Sequence, residues 1–170
     1  MIMSNQFRLR GQQGNPDVLK QRLIKWRQAG EKALASQFEV DIEGYPDLGL
    51  KVTNVQYPPM KRALVEGYGP MGTQSNQQGA LENYATCTAQ VVETIDGDSL
   101  RMLRKMVRDG VVIDAIQIRQ TPESAGGKAV GGVELQDCWI EIDSADFAND
   151  SVTEILKLPI TIHFSWQEEL

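Results

Sequence analysis

Residues 85–120 constrain the fold more than any other stretch, because they read as strand, helix, strand with little slack between the parts. Asp98 and Ser99 offer side-chain oxygens to the first orphan amides of a helix, and Leu100, Leu103 and Val107 recur at helical spacing as its buried stripe. Gly110 stands just past the last periodic residue, where glycine takes the left-handed conformation that closes a helix without a Cβ penalty. Val111, Val112, Ile113, Asp114, Ala115, Ile116, Gln117 and Ile118 then follow as a strand. A helix this short cannot hold itself together in water. It must lie on a sheet, so the minimal unit is one helix packed on the strands that flank it in sequence.

At 170 residues the chain suffices for one well-buried core and is too short for two ordinary domains. The expected division is an N-terminal arm and helix over residues 1–37, followed by a β domain over residues 38–170. No apolar run approaches the ~20 residues of a membrane span, and the polar start lacks a signal-peptide core, so neither a membrane partner nor export by the general route is expected. The net charge of −6 argues against a protein that holds nucleic acid by its phosphates. Cys87 and Cys138 sit in strand-like alternation without ligand spacing or a nearby histidine, and read as reduced core residues.

Residues 1–14 are polar, glycine-interrupted and carry Arg8 and Arg10 without periodicity, as an arm that orders against a neighbour would. Asn15, Pro16 and Asp17 then make a helix start, with Leu19, Leu23 and Trp26 on one face and an end near Gly30 or Ala35. Lys20, Arg22, Lys25 and Arg27 make this helix the most basic part of the chain, either a solvated face or a docking surface.

Phe38, Val40 and Ile42 alternate with Glu39, Asp41 and Glu43, which puts three apolar side chains on one sheet face and three carboxylates on the other. Turn chemistry at Gly44, Tyr45, Pro46 and Asp47 and renewed alternation over residues 48–55 predict a hairpin. Residues 56–83 break the pattern with three prolines, four glycines and a Gln/Asn tract, yet contain Met60, Leu64, Val65, Tyr68 and Met71. So many apolar groups predict a protruding loop, or a short hairpin, buried against another subunit.

A strand over residues 85–91 leads into the central helix, whose Arg101, Arg104, Lys105 and Arg108 form a basic stripe beside the apolar one. Residues 121–132 hold two glycine pairs around Lys128, but the spacing is not that of a phosphate loop and a hairpin loop fits better. Val133 and Leu135 begin another strand that Cys138, Ile140 and Ile142 continue out of phase, the parity shift of a β-bulge; Trp139, Glu141 and Asp143 share its other face. After an acidic connection around Phe147, Ile160, Ile162, Phe164 and Trp166 close the chain. Pro159 marks that last strand as an edge or an interrupted start.

About six alternating strands with hairpin-like joins and one inserted helix predict a mainly β protein, a small antiparallel barrel or sandwich with one flanking helix. No catalytic constellation emerges, and no cofactor or metal is expected. The single histidine, His163, lies on a polar strand face with no acid or nucleophile partner in sequence, so a solvent-exposed ring is expected. The carboxylates spread over surfaces instead of pairing in a cleft.

The acidic-alternating opening strand followed by Gly44, the return through residues 48–52, the Pro- and Gly-rich loop, the helix that ends at Asp109 and Gly110, and the late Asp-rich connection before a closing strand together resemble phage tail tube proteins. Those are related in fold to the tube-forming hemolysin-coregulated proteins of type VI secretion. The resemblance covers approximately residues 38–170, is one of pattern, and excludes the N-terminal helix, which leaves room for a tube-like baseplate or terminator component. It implies six-membered rings, joined by a continuous inner sheet and stacked into a hollow tube that conducts the genome. Residues 56–83, through Met60, Leu64, Val65, Tyr68 and Met71, would reach the adjacent ring. Glu39, Asp41, Glu43, Glu134, Glu141 and Asp143 would line the lumen, where acidic walls let DNA pass without specific binding. Arg101, Arg104, Lys105 and Arg108 would face a neighbouring subunit or a sheath. The partners implied are the chain itself, sheath, baseplate and tape measure protein, in a virion tail assembled in the host cytoplasm. From a different class, a small-ligand-binding barrel with the long loop as a lid is the alternative, and an enzyme is a weaker third.

Overall fold

The computed structural model describes residues 15–30 and 32–170. The arm expected over residues 1–14, with Arg8 and Arg10, lies outside them. The chain divides after Leu34 into two units. In the first, helix α1 (Pro16–Gln28) starts as its sequence requires, with proline at the first helical position and Asn15 Oδ1 accepting from the amides of Asp17 (3.1 Å) and Val18 (3.3 Å). No residue of α1 is buried, so Leu19, Leu23 and Trp26 form an uncovered face.

The second unit contains β1 (Phe38–Ile42), α2 (Pro46–Leu50), β2 (Val52–Val55), β3 (Lys61–Tyr68), β4 (Gln74–Glu82), β5 (Ala85–Val92), α3 (Asp98–Asp109), β6 (Ile113–Gln120), β7 (Gly131–Ile142), β8 (Lys157–Phe164) and β9 (Trp166–Glu169). Every pairing among these strands is antiparallel. The main sheet runs β1-β6-β7-β8-β5-β2 with β9 added to β7, while β3 and β4 make a separate two-stranded sheet. Because β1 and β2 end the order on opposite sides, the fold is a sandwich-like open sheet and not a closed barrel.

The sheet turns a corner along one line. In β7, Val133 and Leu135 are buried and then Cys138 and Ile140, with exposed Asp137 between them at a φ of 52°. The shift in parity read from the sequence is present, but no residue is inserted. Leu135 faces Gln167 and Ile140 faces Ile162 in one unbroken register, and the buried set of the partner strands shifts in step, from Gln167 to Phe164 and Ile162. β6 does the same, from Ile113 to Ile116 and Ile118. Three neighbouring strands therefore exchange faces together, where a bulge would have stretched only one. The result is a single core cluster to which both halves of the sheet, α2 and α3 contribute.

Three expectations are corrected by this topology. The hairpin predicted over residues 38–55 does not form: β1 pairs with β6, β2 pairs with β5, and Pro46 and Asp47 instead start α2. Gly49 lets that helix abut β1, since a Cβ there would lie 2.5 Å from the Val40 carbonyl oxygen. The stripe of α3 is Ser99, Leu103 and Met106 with Leu100 partly buried, whereas Val107 is exposed; α3 lies mainly across β7 and not on its sequence neighbours. β8 is an interior strand despite Pro159. The Asp143 amide donates to the Pro159 carbonyl (3.0 Å), and the missing reciprocal bond falls just past the end of β7.

The ends of α3 show one expected cap and one unexpected. Gly110, at a φ of 63°, closes the helix and the Val111 amide donates to the Met106 carbonyl (3.0 Å). At the start, no side chain of Asp98 or Ser99 serves as the cap. The carboxylate of Glu93, placed by the end of β5, accepts from the amides of Ser99 (3.0 Å), Leu100 (2.7 Å) and Thr94 (2.8 Å), and the Ser99 hydroxyl donates to the Val92 carbonyl (3.2 Å). Burial pushes the Glu93 carboxyl up, but the hydrogen bonds from Leu100, Thr94 and Ser99 outweigh it and hold the group below its ordinary value of 4.5. This contribution is complete above that value and is lost as pH falls through the lower folded one. Glu93→Gln, which keeps one acceptor oxygen and loses the charge, should lower stability at pH 7 by about 0.5–2 kcal/mol. The deficit should shrink on acidification, as denaturant melts at pH 7 and below pH 4 would show.

Candidate functional site

Alternation along β1, β6 and the first half of β7 places a polar row on the outer side of the sheet. Glu39 lies opposite Arg119, Asp41 opposite Gln117, and Gln117 opposite Glu134. Arg119 pairs with Asp41 (3.5 Å) and donates to Gln117; Gln117 donates to Glu134 (2.7 Å), which also accepts from Gln136 (3.0 Å). Those amide hydrogen bonds, Gln136 first and Gln117 next, hold the Glu134 carboxyl below the usual range. Glu43 extends the row, its amide donating to the Ala115 carbonyl (3.1 Å).

Beyond the corner, Glu141 and Asp143 sit in different company. Trp139 faces His163 across β7 and β8, and the two rings stack with centroids 5.1 Å apart and planes 2° from parallel. His163 Nε2 lies 3.2 Å from Glu141 Oε2 yet is buried without an aligned hydrogen bond. Asp143 accepts from the Thr161 hydroxyl (3.0 Å). The histidine is thus corrected from an exposed ring without partners to one stacked on a tryptophan with a carboxylate beside its Nε2. Such a cross-strand pairing joins residues 24 apart in the chain, and alternation within a single strand cannot reveal it. The six carboxylates singled out from the sequence accordingly fall into two groups: Glu39, Asp41, Glu43 and Glu134 on one side of Asp137, Glu141 and Asp143 on the other.

The second surface is the β3–β4 hairpin, the short-hairpin form of the protrusion expected over residues 56–83. Met60, Leu64, Val65, Tyr68 and Met71 are all exposed, Met71 fully so at the tip, where it adopts a φ of 57°. Leu64 and Val65 face Gln78 and Gln77, so the Gln/Asn tract supplies β4 and leaves the apolar groups of β3 uncovered.

The third surface is the solvent side of α3. Arg101, Arg104, Lys105 and Arg108 are exposed, and only Arg101 has an ion pair among the described residues, with Asp98 (3.3 Å). Open grooves flank the helix. One of about 640 Å³ includes Arg101 and Lys105, and one of about 620 Å³ includes Arg104, Arg108 and Phe147.

Among the described residues no group of three or more His, Cys, Asp or Glu is placed to hold a metal ion, and no helix is long and apolar enough to cross a membrane. Cys87 and Cys138 are free and buried. Burial pushes Cys87 up to about 11; burial, with the nearby Cys87 and Asp137, pushes Cys138 up to about 12. Neither thiol should react with a disulfide reagent such as DTNB at pH 8 in the native protein, and both should react on unfolding.

No protein-family model matches the chain, and no curated protein matches it in sequence. Solved structures do match. A chain of the sheath–tube complex of an extracellular contractile injection system in its extended state superposes with a TM-score of 0.66 at 13% identity, covering 86% of this chain and 96% of the other. The tube-terminating cap of the anti-feeding prophage gives 0.66 at 14%, covering 83% and 92%. A chain of the sheath/tube terminator of an extracellular contractile injection system gives the same score and identity, covering 83% and 98%. The polar outer sheet, the projecting hairpin and the laid-on helix thus stand on a tail-tube-like fold, shared over 83–86% of this chain with chains of contractile injection systems.

Proposed function

We propose that this protein is a structural component of a tail-type tube, forming six-membered rings that stack into a hollow conduit in a phage tail or a phage-derived injection device. The observation that carries this reading is the near-complete correspondence with chains from the sheath–tube complex, cap and terminator, at 92–98% of their lengths. A likeness confined to a common sheet would leave large parts of those chains uncovered.

The surfaces take roles that suit such an assembly. Met60, Leu64, Val65, Tyr68 and Met71 contact the adjacent ring, because apolar groups on a projecting hairpin gain most from burial by a second copy. Glu39, Asp41, Glu43, Glu134, Glu141 and Asp143 line the channel, and their charge repels phosphate so that DNA slides without adhering. Arg101, Arg104, Lys105 and Arg108 meet a sheath or a neighbouring subunit. Sheath, baseplate and tape measure protein are the further partners of this reading, and a virion tail assembled in the host cytoplasm is its setting. A terminator subunit that closes the tube is a second reading, favoured by the equal match to the cap and the terminator chains.

Negative-stain electron microscopy at high protein concentration, beside sedimentation at low concentration, tests the proposal. Rings or hollow tubes should appear with rising concentration; a monomer throughout would overturn self-assembly. Leu64→Asp combined with Met71→Asp should abolish stacking and leave the fold intact by circular dichroism, since both side chains are exposed. Arg104→Glu with Lys105→Glu should weaken docking to a sheath or a neighbouring subunit without unfolding the chain, as read by cosedimentation.

A further inference from the structure

Charge is distributed unevenly along the chain. Residues 1–34 carry seven Lys and Arg against two Asp and Glu, whereas residues 35–170 carry ten against 21. Within the basic segment, Leu19, Leu23 and Trp26 fall at i, i+4 and i+7 on α1, one exposed apolar stripe on which the Lys32 ammonium lies 4.9 Å from the Trp26 ring centroid. Arg22 and Lys25 border the stripe on one side, Lys20 and Arg27 on the other, and none of the four has an ion pair among the described residues. This is the pattern of a helix that lays an apolar face into a groove with an acidic rim.

The other unit carries a groove of that chemistry. Between β7 and β8 the chain forms an open hollow of about 770 Å³ that includes Asp146, Phe147, Glu154 and Ile155, with Lys157 at its end as the one basic residue of the lining. Phe147 is 80% exposed, Ile155 65% and nearby Val152 87%, a degree of exposure unusual for three large apolar residues within positions 147–155. Asp146 and Glu154 line the hollow and Asp150 lies in the same connection, all three without ion pairs among the described residues. Helix and groove thus match in apolar character and in the balance of charge, basic on the helix and two acids to one base in the lining, and the apolar groups of both are exposed.

We propose that α1 of one copy docks in the 146–157 groove of a second copy, with Leu19, Leu23 and Trp26 against Phe147, Val152 and Ile155 and the flanking bases against Asp146, Asp150 and Glu154. Helix and groove are different surfaces of the same chain, so the exchange either is reciprocal and closes a two-fold dimer or runs head-to-tail into a ring or filament. The proposal deepens the tube reading by giving the extra N-terminal helix a binding partner, and rests on that reading for the order of the assembly alone.

Carbodiimide coupling, which joins a lysine amine directly to a carboxylate it touches, tests this on the full-length protein. Unlabelled and ¹⁵N-labelled chains are mixed, cross-linked and analysed by mass spectrometry, so that links between copies carry mixed isotopes. Lys20 and Lys25 should couple to Asp146, Asp150 or Glu154 in mixed-isotope pairs, with a yield that falls as salt rises. Arg22→Glu with Lys25→Glu should reduce the remaining Lys20 links several-fold, and adding Asp146→Lys with Glu154→Lys should restore the self-association lost on sedimentation. Links within one copy only, links from these lysines solely to other carboxylates, or an absence of links would each overturn the proposal. Rings that lack the link would defeat the docking and leave the tube reading standing; linked oligomers that never close into rings would do the reverse.

Discussion

The pairing of β7 is the constraint on which the rest of the structure depends. Its twelve residues bind β6 along one edge and β8 or β9 along the other, so every strand of the main sheet except β1, β5 and β2 touches it directly. An untwisted strand of that length would present one face to the core from end to end. The left-handed Asp137 breaks this by exchanging the buried face midway, and a non-glycine residue in that region costs on the order of 1–2 kcal/mol. The cost is met by burial on both sides of it: Leu135 and Cys138 are fully enclosed, as are Ile116 and Phe164 beside them. Since β6 and the β8–β9 strand change face on the same line, hydrogen bonding continues without a slip.

Helix α3 depends on that geometry in turn. It joins β5 to β6, which lie on opposite sides of β7 in the sheet order, and must therefore cross β7 to do so. Leu103 and Met106 enter the core, and the carboxylate at the end of β5 satisfies the amides at the helix start. A charge of that sign at a helix N-terminus also meets the positive end of the backbone dipole. Strand end and helix start are thus fastened by one side chain, and the basic residues are left to the solvent side.

How much of this was legible follows from the range over which each signal acts. Period-two alternation exposed β1, β5 and the hydrophobic core of β7 and β8, because which face a side chain takes is settled by its immediate neighbours. Gly110 and the Asn15–Pro16 helix start were legible for the same reason. Partnership was not: the alternation of Leu48, Leu50 and Val52 looked like a returning strand, but proline and an acid at positions 46 and 47 begin a helix, and exposed Leu50 was never part of a sheet face. Glu93 caps across six and seven residues, outside the local patterns that identify caps. His163 finds Trp139 only through cross-strand register. The candidate surfaces were legible as residue lists, whereas the division of the carboxylates into two groups required knowing where the sheet turns.

The β3–β4 hairpin illustrates how a segment with no core of its own remains in place. A two-stranded sheet by itself is marginal in water, and this one pairs its apolar residues with glutamines across the strands. It is held at the root. Gln167, buried in β9, donates to the Pro59 carbonyl (2.9 Å), the Gln56 amide donates to the Thr88 carbonyl (2.8 Å), and Lys61 pairs with Glu82 (3.2 Å) across the base. Exposed ion pairs of this kind contribute little, so the bonds to the main sheet dominate the anchoring, among them the Thr88 amide and hydroxyl donating to Gln56 Oε1 (3.4 and 3.3 Å). The strands remain paired as far as Tyr68 and Gln74, and the Gly69 amide donates to the Thr73 carbonyl (2.7 Å) to close the tip. The hairpin therefore keeps its shape through its own backbone bonds, while its root alone fixes the direction in which the exposed Leu64, Tyr68 and Met71 are presented.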